Sequence, residues 1–62
     1  MNIETKEFID KVELLKTTII DLKHIMHNIE YDNRLTLSCN VLDTQESIVE
    51  LERIAKEIQS NN

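Results

Sequence analysis

Sixty-two residues carrying 12 acidic against 7 basic side chains, net charge −5, are few for a self-sufficient core and wrongly charged for a broad phosphate-binding surface. The single cysteine rules out an internal disulfide that could reinforce so small a core. No apolar run exceeds two residues, which excludes a membrane span and a signal-peptide core, and Met1-Asn2-Ile3-Glu4-Thr5 lacks the basic start of an export signal.

The first predicted element is a helix over 3–30. Asn2 is placed to cap it, and Glu4 in the first turn suits the helix dipole. Phe8, Val12, Leu15, Ile19, Leu22, Met26 and Ile29 recur at alternating steps of four and three residues. This is a heptad seam with Val12, Ile19 and Met26 at position a and Phe8, Leu15, Leu22 and Ile29 at position d. Thr17-Thr18-Ile19-Ile20 are poor helix formers costing a few tenths of a kcal/mol each, an amount that packing at Ile19 can override.

A turn is predicted over 31–34, in a chain that has neither glycine nor proline. Asp32 and Asn33 are its expected agents, because Asp and Asn tolerate the left-handed backbone and bond their own main chain. A second helix is predicted over 35–59. Leu37, Val41, Thr44, Ile48, Leu51, Ala55 and Ile58 repeat the same spacing with one polar member. The tail Gln59-Ser60-Asn61-Asn62 should cap this helix and fray. One register aligns residues whose numbers add to 63, setting Met26 level with Leu37 and Phe8 with Ala55. A second, pairing a with a and d with d, aligns numbers adding to 66 or 67. A third reading starts the last helix late, at the D-x-x-E capping box of Asp43-Thr44-Gln45-Glu46.

The fold class is therefore all-α: one domain over 1–62, an antiparallel two-helix hairpin. Several apolar residues lie off the seam. Leu35, Leu42 and Val49 repeat every seven residues beside the main stripe of the second helix, with Ile54 on its other flank and Ile20 off-seam on the first helix. A hairpin alone would leave them as exposed patches of the kind that mark interfaces. These five residues are the candidate dimer or partner surface. A homodimer forming a four-helix bundle, a separate protein partner, or both are the expected occupants.

Other chemistry is weakly encoded. His24 and His27 sit three residues apart with Cys39 near the same end, but a structural zinc site wants four ligands, so no metal or cofactor is expected. Cys39 lacks an activating base or glycine-rich loop, and the paired carboxylates lack a pocket, so enzymatic activity is not expected. An unpaired cysteine fits a reducing compartment, and the cytoplasm is the expected location. Tyr31 and Phe8 offer no stacking platform for bases. The Ile-, Asn-, Lys- and Glu-rich composition fits a bacterial or mobile-element source, where a chain of this size would act as a regulator or inhibitor.

In length and plan the hairpin resembles the plasmid copy-number regulator Rop, a dimeric four-helix bundle that binds paired RNA loops. Here only Lys16, Lys23 and Arg34 could serve an RNA-facing row. Ser38-Cys39-Asn40-Val41-Leu42-Asp43 resembles the S-Q-E-L-D motif of phosphatases related to stage-zero sporulation protein E, which act on response regulators. That resemblance implies a phosphatase with Asp43 as its key residue. The extra residue between Ser38 and Asp43 turns Asp43 by about 100° on a helix.

Overall fold

The computed structural model describes residues 2–61. Two α-helices, α1 (Ile3–Ile25) and α2 (Arg34–Ser60), run antiparallel, with a single 3-10 turn at Met26–Asn28 and no strand among the described residues. The hairpin is a rod of 47 × 14 × 13 Å. Its radius of gyration is 14.5 Å, against about 11 Å for a compact chain of this length.

Both helices start on the same device. The Asn2 side chain accepts from the Thr5 amide at 2.7 Å, and the Asn33 side chain accepts from the Thr36 amide at 3.0 Å. Each satisfies an otherwise unpaired donor of the first turn. The threonines inside α1 bond back onto it, Thr17 to the Glu13 carbonyl at 3.2 Å and Thr18 to that of Leu14 at 2.8 Å. Their hydroxyls are thereby accommodated within the helix. At the far end, α2 reaches Ser60 with Asn61 as its cap, and Asn62 lies outside the described residues.

The reversal differs from the expectation. The α-helical part of α1 ends at Ile25 rather than near residue 30, tightens to 3-10 geometry, and becomes extended at Ile29 (φ −87°, ψ 131°). No described residue has positive φ, so Asp32 and Asn33 do not act as left-handed glycine substitutes. Asn33 (φ −98°, ψ 75°) instead caps α2, and the Asp43 capping box lies unused in the helix interior. The closing group is Arg34. Its guanidinium donates through Nη2 to the Met26 carbonyl at 3.0 Å and through Nη1 to the Ile29 carbonyl. One planar fork thus reaches the Ile29 carbonyl and the Met26 carbonyl, which also accepts from the Ile29 amide at 3.2 Å, and ties the base of α2 to the end of α1.

The core is narrower than the seam implied. Among the described residues six side chains are buried, Val12, Ile19, Met26, Val41, Ile48 and Ala55, all at position a. Ile19, Met26, Val41 and Ile48 form one cluster, with Leu37 packed against it. The a residues of both helices form this core and Lys16 meets Glu52 across it, so the structure fits the register that pairs a with a, whose numbers add to 66 or 67, rather than the one whose numbers add to 63. The d residues of α1 are not buried: Phe8, Leu15 and Leu22 remain 39%, 45% and 46% exposed.

Replacing Arg34 with Ala should lower stability by about 1–2 kcal/mol, because two charge-assisted hydrogen bonds are lost. Arg34→Lys should recover little of this, since one ammonium cannot fork across both carbonyls. Urea or thermal unfolding measures the difference, and an unchanged midpoint in both variants would show that Arg34 does not hold the turn.

Candidate interaction surface

In an antiparallel pair facing through position a, the e residues of both helices share one flank and the d and g residues share the other. The ion pair across the hairpin identifies the e flank. Lys16 Nζ lies 2.6 Å from Glu52 Oε2, with Lys56 at 4.0 Å from the other Glu52 oxygen. Hydrogen bonding from Lys16 holds the Glu52 carboxyl below its ordinary range, against partial desolvation, and the same bond raises Lys16. The remaining ion pairs, Lys6–Asp10 and Arg53 with Glu50 and Glu57, lie on single helices and are exposed. The bond from Arg53 likewise lowers the Glu50 carboxyl.

Among the described residues no ion pair closes the d and g flank in this way. On α2 its members from Leu37 to Ile58 are Leu37, Asn40, Thr44, Ser47, Leu51, Ile54 and Ile58, none of them charged. On α1 the row of Phe8, Leu15 and Leu22 is joined by Ile25, 54% exposed, and Lys11 is the one charge between residues 8 and 25 on this flank. An apolar strip therefore runs along one side of the rod. Residues assigned to the seam from spacing alone make most of it. A single facing helix covers only one row squarely, so a stripe spanning a and d is wider than a hairpin can hide; that width was the available signal.

The five residues singled out by sequence fall into separate groups. Leu35, Leu42 and Val49 form one exposed row at position b of α2. Ile20 occupies position b of α1, on the same flank, with the Lys16–Glu52 bridge running between the two rows. Ile54 is half-buried and belongs to the opposite, apolar flank.

The other candidates do not assemble. Among the described residues no three His, Cys, Asp or Glu side chains converge as metal ligands. Cys39 is a free, exposed thiol on the outer side of α2, and His24 is exposed on α1. Ser38 is half-buried toward α1, whereas Asp43 is exposed on the outer face of α2. Asp43, Glu46, Ser47, Val49 and Glu50 line a shallow, open depression contributed by α2 alone. Of the three basic residues an RNA-facing row could use, Lys16 is engaged by Glu52 and Arg34 by backbone carbonyls. No helix among the described residues is long and apolar enough to cross a membrane. No family model matches the chain, and neither the curated proteins nor the solved structures contain a significant match.

The Lys16–Glu52 bridge sets a pH dependence. A carboxyl lowered by folding contributes stability above its unfolded pKa and loses it as pH falls through the folded value. The raised lysine contributes below its unfolded pKa of 10.5 and loses that contribution as pH rises through the higher folded value. Thermal melts should therefore show stability declining below about pH 4, and Glu52→Gln should flatten part of that decline. An identical acid limb in the variant would show that the bridge does not form in solution.

Proposed function

We propose that this chain is a non-enzymatic protein–protein interaction module, a regulator or inhibitor that works as a homodimer and docks on a partner protein. The flank of Phe8, Leu15, Leu22, Ile25 and Ile54, on which Lys11 is the one charge between residues 8 and 25, carries the dimer part of this reading. A symmetric dimer places each patch against its own copy, so a flank with few charges is self-complementary where a charged one would repel. Two hairpins joined along it make a four-helix bundle, in which the d rows become core.

The accessible surface is 4951 Å², whereas a compact monomer of 7.3 kDa should expose about 4,200 Å². The excess reflects the rod shape, which leaves a long face to contribute the roughly 800 Å² that each partner of a standard interface buries. A free, exposed Cys39 fits residence in a reducing cytoplasm.

Sedimentation at micromolar concentration should give twice the monomer mass. Leu22→Glu should weaken the association more than about tenfold, because it would bury an unpaired carboxylate, while circular dichroism stays helical. A wild-type monomer, or a Leu22→Glu variant that remains dimeric, would remove this face from the interface.

A further inference from the structure

The row of Leu35, Leu42 and Val49 lies off the proposed dimer flank and differs from it in charge. Resting on the reading of the chain as an interaction module, we infer that this row takes an apolar helix or groove of another protein rimmed by lysine and arginine. Three anchors at heptad spacing span about 21 Å of helix, the pattern of a helix laid into a groove. From Leu35 to Glu52 the sequence contains four acids and no lysine, arginine or histidine. Glu52 is balanced by Lys16 and Glu50 by Arg53. Asp43 and Glu46 have no ion pair among the described residues, and both line the depression that also holds Val49 and Glu50.

This local charge selects the occupant. A second copy docked on the same row would bring Asp43 and Glu46 near their own equivalents, and like charges across an interface disfavour it. Phosphate backbones and anionic lipid headgroups are repelled by the same carboxylates. A protein surface with an apolar centre and a cationic rim complements both components.

Two fluorescent amphipathic helical peptides test this against the full-length chain by anisotropy. One carries leucines at heptad spacing flanked by lysines, and its twin has glutamates in place of the lysines. The lysine peptide should bind at least tenfold more tightly, with affinity falling as salt is added. Leu42→Ser should weaken it at least tenfold, and Asp43→Lys with Glu46→Lys should invert the preference. Equal binding of the two peptides, no binding of either, or a Leu42→Ser variant that binds like the wild type would overturn the inference. Displacement of the second copy by the lysine peptide would also overturn it, placing the docking on the dimer flank. Sedimentation separates the two readings: Leu42→Ser should keep the wild-type mass. Leu42-dependent peptide binding by a monomer would sink the dimer and leave this inference standing.

Discussion

A helix packed against a single neighbour turns only one row of side chains fully inward. The rows to either side are grazed by the partner and remain half in water. In this hairpin that limit has a direct expression, because every buried residue among those described occupies the a position. The sequence nevertheless carries apolar residues across a wider arc, and the surplus has to lie on the outside. The shape of the molecule follows from the same limit. Two long helices touching along one line make a thin rod whose surface is large for its mass.

The two flanks of that line are finished differently. On one, Lys16 reaches across to Glu52, so the edge of the interface is closed by charge and remains compatible with water. On the other, leucine, isoleucine and phenylalanine stand among uncharged Asn40, Thr44 and Ser47, and no ion pair among the described residues spans the helices. Exposed ion pairs contribute little to stability individually. The contribution of Lys16–Glu52 to the architecture is directional, since it marks the edge of the helix interface that is closed by charge. The apolar side gains most from being covered, and the acidic outer face of α2 offers a chemically separate third surface.

Much of the fold was legible in the order of residues. The alternating steps of four and three located both helices, and Asn2 was recognisable as the first cap because its amide acceptor precedes an acid-bearing turn. The closing of the hairpin was not legible. Asp32 and Asn33 resemble turn residues in isolation, whereas the reversal depends on Arg34 reaching five and eight residues back to Ile29 and Met26, a side-chain clasp that no turn motif encodes. The seam was over-read for a related reason. Spacing shows which residues share a stripe but not how much of it a given number of neighbours can cover, so Phe8, Leu15 and Leu22 looked like core. Of the surface candidates, Leu35, Leu42 and Val49 were visible as a heptad repeat outside the seam. The division of Ile20 and Ile54 between opposite flanks needed the pairing geometry.

The connection between the helices has a further consequence. Because none of its residues occupies the left-handed region, every position from 29 to 33 is sterically open to any L-amino acid other than proline. The reversal is held by side-chain clasps at Asn33 and Arg34 rather than by a backbone contortion. Doubling the length of such a segment costs only about 0.6 kcal/mol of closure entropy. The blunt end of the rod is thus an insertion point, where a foreign epitope or tether can be spliced ahead of Asn33 without disturbing either long side.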